Sequence, residues 1–318
     1  MASDDPAHPA TTVSATPEQA AGALRRGGLI LLPTETVYGL GADASDPVAV
    51  AAVFAAKGRP QFNPLIAHVA SLEAARAVGR FNAAAEALAK AFWPGPLTLV
   101  LPVADGRRVC DLARAGLDSV AVRVPAHPLA RQVLAAFGGP VVAPSANRSG
   151  RPSPTTFSDA VEETGAAVAA AVDGGPCDIG LESTVASVLG DRVALLRPGA
   201  VTRAQIEAVV GTLMESGEEG RRSPGRLALH YAPDAPVRIE ALEARPGEIL
   251  LGFGPGVGDP AWSLSPAGDP KEAAANLFRL LRAADRQKPG AIAISPIPSE
   301  GLGEAINDRL KRAAGYVG

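Results

Sequence analysis

Four stretches of this sequence hold side chains able to bind or transform a charged ligand. PTETVYGLG (33–41) places Thr34, Glu35, Thr36 and Tyr38 beside Gly39 and Gly41, which allow close backbone approach or positive φ. The same residues would also make a turn whose hydroxyls bond only their own backbone. KGRPQFNP (57–64) sets Lys57 and Arg59 around a glycine, in a loop stiffened by two prolines. That pair suits a phosphate clamp, or simply offsets a helix dipole. His68, in LIAHVA, fits either a satisfied core residue or a ligand contact.

APSANRSGRPSPT (143–155) crowds Ser145, Asn147, Ser149, Ser153 and Thr155 into a Gly/Pro loop, which caps a ligand or merely connects two elements. The last group joins SVAVRVP (Ser119, Arg123), LESTV (Glu182, Ser183, Thr184) and LLRPG (Arg197). Arg123 interrupts an apolar strand, so it must face solvent on an edge or an anion in a cleft. GFGPGVG (252–258) lacks an immediate helix and reads as a loop; Walker A and GxGxxG patterns are absent.

These stretches need elements to position them. Thr16-Pro17-Glu18-Gln19 opens a helix that Gly27-Gly28 stops, and GLILLP follows as a buried strand. Asp46-Pro47 opens a second helix ending near Gly58. LIAHVA, LTLVLPV, SVAVRVP and PVVAPSA read as strands, as do AAVAAAVDGG, STVASVLG and RVALLRPG. Two Ala-rich helices between 71 and 93, PLARQVLAAFG and a helix near 203–211 complete the set. The irregular alternation predicts an α/β fold with an open, twisted mixed sheet. MESGEEGRRSPG then marks a linker, beyond which VRIEAL, GEILLGFG, a helix near 270–286, AIAISPI and a final helix make a smaller α/β unit. The expected organisation is a disordered tail (1–13), a catalytic domain (14–211), a linker or lid (212–235) and a small C-terminal domain (236–318).

The 318 residues suit two domains, and 47% hydrophobic with 20% charged residues supports packed cores. A net charge of −3 argues against a nucleic acid as the main partner, though not against a local basic groove. Cys110 and Cys177 sit in no CxxC, and the four histidines show no metal-binding spacing. With no secretory pattern at the N-terminus and no apolar run long enough to span a bilayer, the expectation is a cytoplasmic protein without membrane contact.

Taken in order, PTETVYGLGADA, KGRPQFNPL, WPGPLTLVL, VAVRVPAHP, APSANRSGRPSPT, LESTV and LLRPG resemble the YrdC-like family of threonylcarbamoyl-AMP synthases over most of 17–211. SPGRLALHYAP and the unit ending in AINDRLKRAAG resemble its longer, two-domain branch; residues 226–229, RLAL, depart from that branch's usual linker. The resemblance implies formation of threonylcarbamoyl-adenylate and pyrophosphate from L-threonine, bicarbonate and ATP, with Mg²⁺ held by substrate phosphates, for t6A modification of tRNA adenosine 37. It places Lys57, Arg59, Ser145 and Asn147 by the nucleotide, with Lys57 and Arg59 catalytic. Asn63, Ser119, Ser153 and Arg197 fall on its ATP side, and Tyr231 closes over the nucleotide. Thr36, His68, Arg123 and Ser183 fall around the threonine, while Tyr38 stays open to a packing role. Implied partners are a downstream threonylcarbamoyl transferase and tRNA, with direct tRNA contact left open.

Fixed cations offset the repulsion when a carbamate meets a triphosphate, without a covalent enzyme intermediate. The rival reading is an RNA-binding or regulatory module, with Lys57, Arg59, Arg123, Arg148, Arg151 and Arg197 forming a basic patch.

Overall fold

Short capped helices and short strands alternate from the first described residues onward. The computed structural model describes residues 14–60, 63–190, 192–214 and 230–316. The expected tail (1–13), most of the linker and its divergent residues 226–229 lie outside them.

Up to the fifth strand the order is α1 (Pro17–Arg25), β1 (Ile30–Leu32), β2 (Gly39–Asp43), α2 (Pro47–Lys57), β3 (Ile66–His68), α3 (Leu72–Arg76), α4 (Ala83–Phe92), β4 (Leu97–Pro102) and β5 (Ser119–Arg123). Next come α5 (Pro128–Phe137), β6 (Val141–Val142), α6 (Phe157–Thr164), β7 (Ala170–Ala171), β8 (Thr184–Ser187), β9 (Ala194–Arg197) and α7 (Arg203–Val210). The later part holds β10 (Val237–Arg238), β11 (Glu248–Phe253), β12 (Ser263–Ser265), α8 (Pro270–Arg286), β13 (Ala291–Ile294) and α9 (Leu302–Ala313).

Helix boundaries follow their local chemistry. Thr16 and Gln19 form a capping box on α1. Asp46 caps α2 at Val48 N, Pro47 occupies its first turn, and Gly58 closes it in the left-handed conformation (φ 59°). That stop leaves Lys57 on the last turn and sends Arg59 into the following loop.

Nine strands form one mixed sheet in the order β7-β1-β2-β6-β3-β5-β4-β8-β9. Strands β3 and β5 are parallel, with His68 beside Arg123, whereas β6 runs antiparallel to β3. The smaller sheet, β10-β13-β11-β12, is parallel throughout. Both sheets match the expected open α/β architecture.

Two local expectations change. Gly39–Asp43 is a strand paired with β1, so the last third of PTETVYGLG belongs to a hairpin strand rather than to a loop. Within AAVAAAVDGG only Ala170–Ala171 is strand, preceded by a 3₁₀ turn at Gly165–Ala167. The apolar character of that run reflects burial, which does not set strand length.

Alternation along the central strands separates two faces. Ala67 and Val122 enter the main core with Leu40, Val53, Leu88 and Leu99. Ile66 and Ala121 point to the other face, in a cluster with Val100 and Val185. The smaller unit packs its α8 and α9 into a core of its own that also takes in Val37, Leu181 and Tyr231.

Candidate active site

On that second face the sheet carries a cavity of about 500 Å³, counting its open mouth. Ile66 and His68, two residues apart, line it from β3, and Arg123 does so from the end of β5. Parallel strands present ligands at their carboxyl ends, where His68 and Arg123 stand side by side. The apolar part of the wall is Val37, Pro64, Leu65, Ile66, Ala143 and Pro144. The polar part is Thr36, Arg59, His68, Arg123, Ser145, Glu182, Ser183, Arg197, His230 and Tyr231.

The two hydroxyl-rich motifs turn out to be one construction. Leu40 N donates to Pro144 O at 2.8 Å, Ala146 N to Tyr38 O at 2.8 Å, and Tyr38 N to Pro154 O at 2.9 Å. Gly39 is required there: a Cβ would lie 3.0 Å from the Cβ of Ala143. Thr34 is a turn residue, donating to Val37 O at 2.6 Å and accepting from Thr36 N and Val37 N. Tyr38 is a strut: its hydroxyl donates to Gly175 O at 2.7 Å and accepts from Gly174 N at 3.0 Å. Thr36 alone of the three aims at the cavity, accepting from Arg123 Nη1 at 2.9 Å.

Arg123 therefore faces a cleft and not solvent. Its Nη2 lies 2.6 Å from Glu35 Oε1 and its Nε donates to Gly95 O at 3.1 Å. Three of its five N–H groups are thus engaged, leaving two for a ligand. Burial works to raise the Glu35 carboxyl, yet the charge and hydrogen bond of Arg123 outweigh it and hold the group below the usual carboxylate range. Burial, helped by Arg123, pushes His68 down to about 3, so its imidazole is neutral at physiological pH; Nδ1 donates to Ile66 O at 3.2 Å.

Across the cavity the cations crowd. Arg197 donates twice to Ser183 O, at 2.9 and 3.1 Å, and once to Ser183 Oγ at 3.3 Å. Arg59 makes one long bond to Pro64 O, 3.4 Å, and its buried Nε has no partner. Burial, with the charge of Arg197, lowers Arg59 to about 10. Burial likewise lowers Arg197, while burial and Arg59 together lower Lys57. The His230 imidazole is pushed below its ordinary value by burial and by Arg59, Lys57 and Arg197. Such mutual depression marks a region with more positive charge than its own carboxylates balance, which a polyanion would relieve.

Eight of the thirteen residues singled out from sequence line this cavity: Thr36, Arg59, His68, Ser145, Arg123, Ser183, Arg197 and Tyr231. The other five are buried and do not line it. Lys57 Nζ donates to the carbonyls of Ser145 and Asn147, so it braces the 143–155 loop. Asn147 Nδ2 donates to Arg148 O and Arg151 O, folding the same loop on itself. Ser153 donates its hydroxyl to Glu182. Asn63 and Ser119 are also buried outside the lining.

Two polar lining residues were not assigned from sequence. Glu182 stood in LESTV without a role, and its carboxylate is committed to Ser153 on Oε1 and Arg309 on Oε2. His230 was passed over beside Tyr231, against whose ring its own stands at 4.0 Å and 86°. Their signal was adjacency: each directly neighbours an assigned residue. Among the described residues no group of three or more His, Cys, Asp or Glu side chains is arranged to hold a metal, and no helix is long and apolar enough to cross a membrane.

Comparison with known proteins gives consistent matches. Residues 22–199 match the Sua5/YciO/YrdC family model, described as "Telomere recombination". Residues 201–315 match the model described as "Threonylcarbamoyl-AMP synthase, C-terminal domain". The chain is 41% identical over 322 residues to the threonylcarbamoyl-AMP synthase of Pyrococcus abyssi, covering 93% of each. It is 40% identical to that of Bacillus subtilis, covering 93% of this chain and 92% of that one. A crystal structure of P. abyssi Sua5 complexed with L-threonine superposes with a TM-score of 0.85 at 38% identity, covering 94% of both chains.

Proposed function

The chain belongs to the Sua5/YciO/YrdC family, in its two-domain form, and from that premise we propose that it is an L-threonylcarbamoyladenylate synthase. The observation that carries the reading is the meeting, in one cavity, of Arg59, Ser145 and Arg197 with Thr36, His68, Arg123 and Ser183.

The amine of L-threonine displaces hydroxide from bicarbonate to give a carbamate and water. A carbamate oxygen then attacks the α-phosphorus of ATP, and the bond to the β-phosphate oxygen breaks to release pyrophosphate. Both partners are anions. Arg59 and Arg197 oppose their repulsion and the charge that develops on the leaving group, in a buried setting where such charges act strongly. Arg123 offers its two remaining N–H groups to the threonine carboxylate, and the Thr36 and Ser183 hydroxyls take its polar groups. Neutral His68 adds no charge at the amine, which must be unprotonated to react. Lys57 acts through the loop it braces. Mg²⁺, bound with ATP, supplies further neutralisation of the phosphate oxygens. The donor set suits a cation held by phosphates and water, because both oxygens of Glu182, the carboxylate in the wall, are already engaged.

The product would feed t6A formation at tRNA adenosine 37 through a downstream transferase. The RNA-module alternative finds less support. Lys57, Arg123 and Arg197 are buried, Arg59 faces the cavity, and Arg148 and Arg151 are paired with Glu163, so the six residues do not share one open basic patch. The test is mass-spectrometric detection of threonylcarbamoyl-adenylate together with pyrophosphate release dependent on threonine and bicarbonate. Salt-sensitive tRNA binding without that release would favour the module.

A further inference from the structure

The smaller unit reaches the cavity wall through its core contacts with Val37 and Tyr231 and through one buried arginine. Arg309, on α9, is 1% exposed and lies against residues of the larger unit. Its Nε donates to Glu182 Oε2 at 3.1 Å, its Nη1 to Pro198 O at 2.5 Å and its Nη2 to Glu182 O at 3.4 Å. The guanidinium also stands 5.7 Å from the centre of the Tyr231 ring. It therefore ties together the two loops that carry Ser183 and Arg197. Those loops already touch closely, since a Cβ on Gly199 would lie 2.8 Å from Glu182 O.

Glu182 is an odd residue for this wall. It is a buried carboxylate lining a cavity whose cations, on the reading above, receive a triphosphate. Left to itself it would repel the phosphates, or turn to Arg59 or Arg197 and occupy them. Its oxygens are held elsewhere: Ser153 holds one and Arg309 the other. Removing one member of a buried pair leaves the remaining charge uncompensated.

We propose that Arg309 is a positioning residue through which the smaller unit sets nucleotide affinity: it neutralises Glu182 and turns it away from the cations that face the nucleotide. The smaller unit is then part of the nucleotide site's electrostatics and not only a cover. This inference rests on the synthase reading.

The test measures binding of MgATP and, separately, of L-threonine by full-length wild type, Arg309→Met, Glu182→Gln and the double variant, with a melting curve for each. Arg309→Met should weaken MgATP by about tenfold or more while threonine affinity changes far less. Adding Glu182→Gln should restore most of the loss, because the amide still accepts from Ser153 but carries no charge. A brace with a purely structural role would give the opposite result, a double variant no better than the single. Glu182→Gln alone, which keeps its shape, should hold or tighten MgATP binding even if Arg309→Met does not fold. The proposal is overturned if Arg309→Met binds MgATP like wild type, if the double variant shows no recovery, or if Glu182→Gln alone weakens nucleotide binding. Wild-type pyrophosphate release is measured alongside. Its absence strikes the synthase reading, whereas normal wild-type turnover with unchanged nucleotide binding in Arg309→Met strikes only the role of Arg309.

Discussion

Along the seam between α6 and α8, buried and half-buried arginines each face acid. Arg282 lies 2.9 Å from Glu163 and 3.4 Å from Asp159, and Arg286 pairs with Asp159 and Glu162. Arg151 reaches Glu163, Asp234 and Asp285 at 3.1–3.5 Å. In the cavity Arg59 bonds the Pro64 carbonyl oxygen and Arg197 donates to Ser183 O. Each arginine of the seam meets carboxylates of the other unit or its own, so its charges hold the two units together. The cavity is left positive, so its charges are directed at something that arrives. Burial of ions is common to both; balance separates structure from function.

That contrast is sharpest at Arg59. Arg59→Ala should lower kcat/KM by about a hundredfold or more, an effect of about 3 kcal/mol, since one charged stabiliser of the transition state is lost. Its melting temperature should hold or rise, because the substitution removes a poorly partnered buried cation. Steady-state pyrophosphate release and a thermal melt check both halves, and an unstable variant would erase the distinction.

At the seam the order reverses. Arg282→Met leaves Glu163, whose side chain is fully buried, without its nearest cation and should destabilise the fold by about 3 kcal/mol. Turnover per folded molecule should fall much less than for Arg59→Ala. Denaturant unfolding gives the first number and activity normalised to folded protein the second.

Acid should separate the two regions by onset. His68 and His230 are held below the ordinary 6.5 when folded, so the unfolded chain takes up their protons first. Their contribution is whole above pH 6.5 and drains as pH falls below it. Asp159 and Glu163 are also lowered, against the burial that alone would raise them, by their arginine and hydrogen-bond partners. Their contribution is whole above pH 4.5 and drains only below that. Stability measured from pH 7.5 downward should therefore begin to fall near 6.5. His68→Gln should remove up to about 1.4 kcal/mol per pH unit of that first slope. An onset only below 4.5 would show that the cavity histidines carry protons in the fold.

The smallest effect belongs to the rim of the seam. Arg286 and Glu162 pair at 2.5 Å, but both side chains are about half exposed, 49% and 52%. Glu162→Gln should cost less than about 1 kcal/mol and should matter less at high salt.

Much of the frame was legible because local chemistry decides it. Asp46-Pro47 and Gly58 bound α2 by capping, and Pro270 with its Asp269 cap starts α8 where the composition implied. Arg123 inside an apolar strand announced either an exposed edge or a cleft, and the structure places it in the cleft. The pairings that complete the site were not legible, because they join residues far apart in the chain. Glu35 meets Arg123 across 88 positions and Glu182 meets Arg309 across 127. Nothing local in PTETVYGLG or AINDRLKRAAG names the partner. The two-residue strands β6 and β7 were read as strands within PVVAPSA and AAVAAAVDGG, but their extent was not legible, since one alternation is no pattern. Lys57 shows a further limit. Its type and place suggested direct contact with ligand, and only the carbonyls of Ser145 and Asn147 reveal it as a brace.

The hairpin of residues 33–41 is stitched by backbone bonds to the loop after β6, roughly a hundred residues later in the chain, and Tyr231 and Arg309 come later still. During synthesis the first residues of the pocket, Thr36 and Val37, therefore wait for most of the chain to emerge. A ribosome stalled before Arg309 would display the sheet's polar face, with Glu182 lacking its counter-charge, to chaperones rather than to nucleotides.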